Sequence, residues 1–114
     1  MAEDCLFCKM ASGAIPVPVL AENERAFAIR DINPRAPLHV LVIPREHIAD
    51  ARDIEVGHAE TLAALFILAS KVAREEGVLE SGYRLAFNVG EAAGMTISHL
   101  HMHLLGKRQL GPEG

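Results

Sequence analysis

The sequence predicts an α+β fold: a mainly antiparallel sheet of about five strands, with one long helix and one short helix. Helical and extended patterns follow one another along the chain in the order helix, two strands, strand, helix, strand, strand. Residues 38–43 are almost continuously apolar and rich in β-branched side chains, which is typical of a strand buried on both faces. Residues 96–105 place apolar side chains at alternate positions, which is typical of a strand with one face on the core.

The two helices are predicted from the spacing of apolar residues and from residues that begin or end helices. The short helix should start after Asp4 as its N-cap and end at Gly13. The long helix should run over about residues 58–76, because Gly77 supplies a stop and an apolar stripe repeats at helical spacing. That stripe comprises Leu62, Leu65, Phe66, Ala69, Val72 and Ala73. It predicts that the long helix covers the sheet.

The other strands are predicted between turn-forming residues. Residues 19–22 and 26–31 should form a hairpin around a turn at Asn23 and Glu24. Residues 83–88 should form a further strand before the loop that leads into the alternating segment. These strands complete the predicted sheet.

Length and composition limit the class of protein. At 114 residues the chain is expected to form one domain, spanning residues 1–114. The formal net charge of -4 argues against a broad nucleic-acid surface, so a nucleotide should bind in a local pocket. The longest apolar stretch, around residues 62–69, is too short to cross a bilayer, and the acidic start does not match a signal peptide. We therefore expect a cytoplasmic protein with no membrane partner.

A row of histidines is the strongest candidate for chemistry. His99, His101 and His103 would lie on one face of the predicted strand, and the opposite face would carry Leu100, Met102 and Leu104. Core packing does not explain such a row, because each imidazole can become charged near neutral pH and would then repel its neighbours. It indicates either a metal site built from imidazole nitrogens or nucleophilic catalysis by an unprotonated imidazole.

Nucleophilic catalysis places a requirement on the reactive ring. Histidine has an ordinary pKa of about 6.5, so it is largely neutral at pH 7 and one ring nitrogen is free to attack. The other nitrogen needs an acceptor that holds its proton, and we expect a backbone carbonyl there. The loop over residues 88–97 could supply phosphate-binding N–H groups, because Gly90 and Gly94 allow close approach of the backbone. An ordinary turn is the alternative for that loop.

Several segments together resemble the histidine triad (HIT) nucleotide-binding family, and specifically its Hint branch, which is purine nucleoside phosphoramidase-like. The resemblance spans nearly the whole chain and rests on CLFCK at 5–9, DINP at 31–34, PLHVLVIP at 37–44, His47 and the row His99-x-His101-x-His103. It implies a HIT-like fold and a homodimer whose sheets join across the two-fold axis. It also implies hydrolysis of nucleoside 5′-monophosphates that carry an amine or another leaving group on phosphorus, with a purine nucleoside monophosphate as partner.

The resemblance assigns roles by motif position. It implies that His101 is the nucleophile that forms a covalent nucleotidyl-histidine intermediate, which water then hydrolyses. His103 would stabilise charge on the phosphate, and Thr96 would orient or protonate the leaving group. Asp31 would accept hydrogen bonds from ribose hydroxyls, and Asn88 would contact the phosphate. The implied nucleotide-binding residues are Leu6, Phe7, Met10, Ile15, Ile29, Asp31, Ile32, Asn88, Gly94, Thr96, Ile97, His101 and His103.

The two cysteines, Cys5 and Cys8, could form a disulfide, a redox pair or half of a metal site, and a cytosolic setting favours reduced thiols. The resemblance implies that both thiolates, together with His47 and His99, bind a structural zinc. Two thiolates and two imidazoles suit tetrahedral zinc, and no metal would be needed in the chemical step. Reduced cysteines beside hydrogen-bonded histidines are the alternative.

Two departures from the family pattern bear on function. Met95 stands where the Hint branch commonly has glutamine, and the tail after Lys107 is short and lacks tryptophan. Three alternatives therefore stay open: a dinucleoside polyphosphate hydrolase, a nucleotide-binding interaction protein with residual hydrolysis, and a catalytic zinc on the histidine row. Of the remaining histidines, His39 is expected to be structural and His58 to be solvated. Surface charge is the expected role of the basic residues Arg30, Arg45 and Lys107.

Overall fold

A computed structural model describes residues 4–114. It contains five strands in one antiparallel sheet, with the spatial order β1-β2-β3-β5-β4. The strands are β1 (Ala21–Glu22), β2 (Ala26–Arg30), β3 (Leu38–Pro44), β4 (Tyr83–Ala86) and β5 (Met102–Gly106). The helices are α1 (Leu6–Ser12) and α2 (Ala59–Glu75). The predicted α+β fold with one short and one long helix is confirmed.

The central strand β3 divides the molecule into two layers. All of its residues are buried, as its continuous apolar sequence predicts. One face, with Val40 and Val42, packs in the core beneath α2. The other face, with Leu41 and Ile43, packs against Phe7 of α1. Two apolar layers therefore enclose the sheet, and His101 and His103 lie on the α1 side with Phe7.

Helix α2 covers the sheet, but its buried stripe is rotated relative to the prediction. The buried residues are Thr61, Ala64, Leu65, Leu68, Ala69, Val72 and Ala73. Leu62 is only partly buried and Phe66 is 49% exposed. Apolar residues lie on more than one side of this helix, so spacing alone did not fix which side meets the sheet. Gly77 ends the helix as predicted, with a positive φ of 79°.

The same segment bears on membrane insertion. By length and composition alone, Val56–Glu75 could cross a membrane, and the core helix of a globular protein can pass the same test. Here α2 packs on β2 and β3 and buries one face there. The prediction that the apolar stretch is too short considered only residues 62–69.

Helix α1 begins one residue later than predicted. Its N-cap is Cys5 rather than Asp4, because the Cys5 Sγ accepts a hydrogen bond from the Cys8 N–H at 3.4 Å. Gly13 ends the helix in the left-handed conformation, as predicted. Phe7 is the buried residue of this helix, and the partly buried Met10 and Ala11 pack against the same cluster.

The histidine strand is shorter than predicted, since β5 pairs only from Met102 onward. Its partner β3 ends at Pro44, which has no N–H to continue the hydrogen bonds between the two strands. The Leu100 N–H donates instead to the Ile48 carbonyl at 2.6 Å. The alternation of side chains nevertheless continues, because Leu100 is buried in the same core as Met102. Strands β1 and β4 are also shorter than predicted.

Candidate active site and cysteine–histidine cluster

A cavity of about 500 Å³ opens on the α1 face of the sheet. It is lined by Leu6, Phe7, Met10, Ile29, Arg30, Asp31, Ile32, Asn33, Arg35, Leu41, Asn88, Gly94, Met95, Thr96, Ile97, His101 and His103. Its apolar walls come mainly from α1, β2 and β3, and most of its polar groups come from two loops, one after β2 and one after β4, and from the histidine segment. The volume falls in the range of small-molecule sites.

Most of the predicted nucleotide-binding residues line this cavity, and Ile15 is the exception. The left-handed turn at Gly13 redirects the chain after α1, and the Ile15 N–H donates back to the Lys9 carbonyl. Sequence reasoning missed Asn33, Arg35 and Leu41. Leu41 could have been found, because it is the β-sheet partner of His103, but no local pattern marks Arg35.

The ring of His101 is oriented by a backbone carbonyl, as the nucleophile argument requires. Its Nδ1 lies 2.8 Å from the carbonyl oxygen of His99, so Nδ1–H donates and Nε2 is left without a proton in the neutral ring. The Phe7 ring packs edge-on against it, with centroids 5.2 Å apart. His101 therefore offers an unprotonated nitrogen at the wall of the cavity.

A chain of hydrogen bonds places the proton of His103 on Nε2, whereas that of His101 lies on Nδ1. The backbone N–H of Arg35 donates to His39 Nδ1 at 3.1 Å, so a neutral His39 carries its proton on Nε2. That nitrogen lies 2.9 Å from His103 Nδ1, which accepts. His103 is then a donor through Nε2–H. His39 is satisfied as predicted, and it also sets the tautomer of His103.

Burial keeps the rings of His39 and His103 neutral. Burial first, and then the neighbouring His101, His39 and Arg35, together lower the pKa of His103 to about 4, while Asp31 opposes them. Burial also lowers the pKa of His39. A neutral His103 can donate one hydrogen bond without carrying a charge at pH 7.

The loop before the histidines forms one wall. Asn88 Nδ2 lies 3.4 Å from His103 Nε2; with Nε2 protonated both atoms are donors, so they do not bond each other but face one region of the cavity, where one acceptor could receive both. Thr96 is exposed and lines the same cavity. The N–H groups of Gly94 and Met95 donate within the turn, to the carbonyls of Glu91 and Gly90. The expectation that the glycines free these donors for a phosphate is therefore wrong at these two positions.

Cys5, Cys8, His47 and His99 form a second group beside the cavity, and their ligand atoms all lie within 4.8 Å of one another. His99 Nε2–H donates to the Pro44 carbonyl at 2.8 Å, so Nδ1 carries a free lone pair. That Nδ1 lies 3.2 Å from Cys5 Sγ and 3.1 Å from His47 Nδ1. Both thiols are free, so the predicted disulfide alternative is not formed.

The chemistry of this group fits a tetrahedral zinc ion. Zinc bonds of about 2.0–2.3 Å place tetrahedral ligand atoms roughly 3.3–3.8 Å apart, close to the separations found here. Burial lowers the pKa of His99, which favours the neutral ring that a metal requires. Burial raises the pKa of the Cys8 thiol, so a cation would be needed to hold it as a thiolate.

The remaining predicted side chains lie mostly in ion pairs. Arg30 and Lys107 both contact Glu76, and Arg45 contacts Glu22. Arg30 also lines the cavity. His58 was expected to be solvated, but its Nδ1 accepts from the Glu55 N–H at the start of α2, and its side chain is only 18% exposed.

Comparisons with known proteins identify the family of the chain. The family model described as HIT domain matches residues 12–110. The chain is 40% identical over 112 residues to the purine nucleoside phosphoramidase of Escherichia coli K12, covering 98% of this chain and 94% of that protein. It is 41% identical over 107 residues to the 14 kDa zinc-binding protein of Zea mays, covering 92% of this chain and 83% of that protein.

A solved structure is similar over almost its whole length. The crystal structure of a HIT family hydrolase from Legionella pneumophila superimposes with a TM-score of 0.93 at 49% sequence identity, covering 96% of this chain and 99% of that one. The chain therefore belongs to the HIT family of nucleotide-binding hydrolases.

Proposed function

We propose that the protein hydrolyses purine nucleoside 5′-phosphoramidates, or related nucleotidyl substrates, through a covalent nucleotidyl-His101 intermediate. The observation that carries the proposal is the 2.8 Å contact between His101 Nδ1 and the His99 carbonyl, which leaves Nε2 free to attack. The similarity to a purine nucleoside phosphoramidase supports the same substrate class. No metal takes part in the proposed chemical step.

The proposed reaction has two displacements at phosphorus. In the first, the lone pair of His101 Nε2 bonds to the α-phosphorus, the bond from phosphorus to the leaving amine breaks, and the amine takes a proton. In the second, a water oxygen bonds to phosphorus and gives up a proton, the bond to Nε2 breaks with its electron pair returning to the neutral imidazole, and the nucleoside monophosphate is released. An imidazole is a good nucleophile and a fair leaving group, so two moderate barriers replace one high barrier.

Other cavity groups would assist these displacements. His103 Nε2–H and the Asn88 amide would donate to phosphate oxygens as negative charge develops. The exposed Thr96 hydroxyl would orient the leaving group or pass it a proton. Met95 lines the cavity but its thioether cannot donate a hydrogen bond, so the leaving group receives less polar support there.

The apolar end of the cavity would hold the base. Leu6, Phe7 and Met10 from α1 face Ile29 of β2 across it. Asp31 would accept hydrogen bonds from the ribose hydroxyls. Its Oδ1 already accepts from the Asn33 N–H at 2.8 Å, which holds the carboxylate in place.

We propose that Cys5, Cys8, His47 and His99 hold a structural zinc ion. The ion would tie α1 to the histidine segment, because α1 and its N-cap supply two ligands and the segment supplies one. Since α1 also supplies the wall that faces the base, the ion would stabilise the cavity without entering the reaction.

A homodimer is proposed on two surface features. Strand β4 lies at the edge of the sheet with one side unpaired within residues 4–114, so a second copy can extend the sheet there. Phe66 is half exposed and packs near Phe87, beyond the end of β4. A cytoplasmic location stays a prediction.

Steady-state release of AMP from adenosine 5′-phosphoramidate tests the proposed function. We expect turnover by the wild type and its loss in His101→Gly, with AMP binding retained in the variant. Faster cleavage of a dinucleoside polyphosphate would instead assign the protein to the polyphosphate hydrolases. Tight AMP binding without turnover of any substrate would assign it to the nucleotide-binding interaction proteins.

A further inference from the structure

Arg35 places a positive charge in the cavity that the proposed reaction does not use. Arg35 lines the cavity, and its guanidinium Nη2 lies 3.4 Å from His103 Nδ1. The backbone is held on both sides, because its N–H donates to His39 Nδ1 and its carbonyl accepts from Arg108 at 2.9 Å. The guanidinium therefore extends from a fixed backbone position.

The charge of Arg35 has no carboxylate partner among residues 4–114. Arg30, the other cationic residue of the cavity, differs in this respect, because its guanidinium binds both carboxylate oxygens of Glu76 at 2.9 and 3.5 Å. An arginine left without a counter-charge in a ligand cavity can bind an anionic group of the ligand.

The position of Arg35 indicates which part of the ligand that group belongs to. His103 has two edges: Nε2 faces Asn88, where the 5′-phosphate is proposed to bind, and Nδ1 faces His39 and Arg35. Asp31, the proposed ribose ligand, lies on the second edge, with its Oδ2 3.4 Å from His39 Nε2. Arg35 therefore lies on the ribose side of His103 rather than on the 5′-phosphate side.

We propose that Arg35 binds a second phosphate on the ribose, so that the site prefers purine nucleotides phosphorylated at the 2′ or 3′ position in addition to the 5′ position. This inference rests on the proposed function, because it uses the proposed orientation of the nucleotide. A phosphate on one ribose hydroxyl leaves the other hydroxyl to donate to Asp31. Asn33, exposed on the same loop and lining the cavity, adds an amide donor for the phosphate.

Isothermal titration calorimetry with four adenosine ligands tests the proposal. The ligands are AMP, adenosine 2′,5′-bisphosphate, adenosine 3′,5′-bisphosphate and ADP, the last of which carries its extra phosphate at the 5′ end. We expect the wild type to bind one of the two ribose bisphosphates about tenfold more tightly than AMP, the size of one charge-assisted contact. In Arg35→Gln that ratio should fall to about one, and higher salt should reduce it in the wild type.

Arg30→Gln is the matched control, because Arg30 lines the same cavity but is already paired with Glu76. It should keep the preference for the ribose bisphosphate. The proposal is overturned if the wild type shows no preference, if Arg35→Gln keeps it, or if ADP shows the same Arg35-dependent gain. The last result would place the guanidinium at the 5′-phosphate.

Binding and turnover separate this inference from the proposed function. An Arg35-dependent preference in a protein that hydrolyses no nucleotidyl substrate would overturn the proposed function and support the inference. Hydrolysis through His101 without the preference for a ribose bisphosphate would support the proposed function and overturn the inference. Failure to bind any of the four ligands would overturn both.

Discussion

The relay from Arg35 through His39 to His103 makes a prediction that two similar substitutions can separate. In His39→Gln the side-chain amide nitrogen can occupy the region of the imidazole Nε2 and still donate to His103 Nδ1. In His39→Asn the shorter side chain places its amide oxygen near the former Nδ1, so it keeps the contact with the Arg35 N–H and loses the contact with His103. His39→Gln thus keeps the contact with His103, and His39→Asn keeps the contact with the Arg35 N–H.

The expected magnitude follows from the lost contact. The bond between His39 Nε2 and His103 Nδ1 is 2.9 Å long, and both side chains are buried, so water does not replace it. Loss of a buried hydrogen bond of this kind costs about 1–2 kcal/mol, which corresponds to roughly 5- to 30-fold in the population of the donor tautomer. Arg35 Nη2 lies near the same nitrogen, but at 3.4 Å its contact is weaker.

The assay is kcat/KM for AMP release from adenosine 5′-phosphoramidate, with urea denaturation of each variant as the control for folding. We expect His39→Asn to lose about 10-fold or more and His39→Gln to stay within about 3-fold of the wild type. Each variant loses one buried contact, so similar losses of unfolding free energy are expected. Equal loss of activity in both variants, or greater activity in His39→Asn, would refute a tautomer relay.

Three further predictions concern the metal cluster, the pH dependence and the loop. Cys8→Ala, or chelation of the wild type, should lower the melting temperature, and added zinc should not raise the melting temperature of Cys8→Ala. An unchanged melting temperature in the variant or after chelation would contradict a structural zinc. The pKa of His103 in the folded protein, about 4, lies below the ordinary value of about 6.5. Between these two pH values the unfolded state binds more protons than the folded state. The free energy of unfolding should therefore fall as the pH falls from about 6.5 to about 4. The loss is at most about 3 kcal/mol, and urea denaturation of His103→Asn, referred to the wild type, should remove that part of the slope. Gly94→Ala forces a side chain into φ of 85° and should cost about 1 kcal/mol of stability and raise KM, whereas the exposed Gly111→Ala should do neither.

The sequence predicted the parts of the site that are close together along the chain. The alternation around His101 determined which side chains turn toward the core, and this outcome did not require the strand to be as long as predicted. The acceptor for His101 Nδ1 was predictable for the same reason, because it is the carbonyl two residues earlier. Local backbone geometry carries this information.

Contacts made across the fold could not be predicted in this way. Leu41 enters the cavity because β3 pairs with β5 in a register that places it opposite His103, and register is a property of the folded sheet. His39 lies within hydrogen-bonding distance of His103 for the same reason, although the two are far apart in sequence. The rotation of α2 was missed because its apolar residues allow two faces, and the sheet selects the one with Leu68.

The central claim is covalent hydrolysis through His101. The most direct test is intact-protein mass spectrometry after rapid acid-free quenching of wild type and His101→Gly with adenosine 5′-phosphoramidate. The account predicts a transient increase in mass by one adenylyl group in the wild type, followed by AMP release, and neither in the variant. AMP release by His101→Gly, or wild-type turnover with no adduct at any time on a scale that resolves single turnovers, would contradict it.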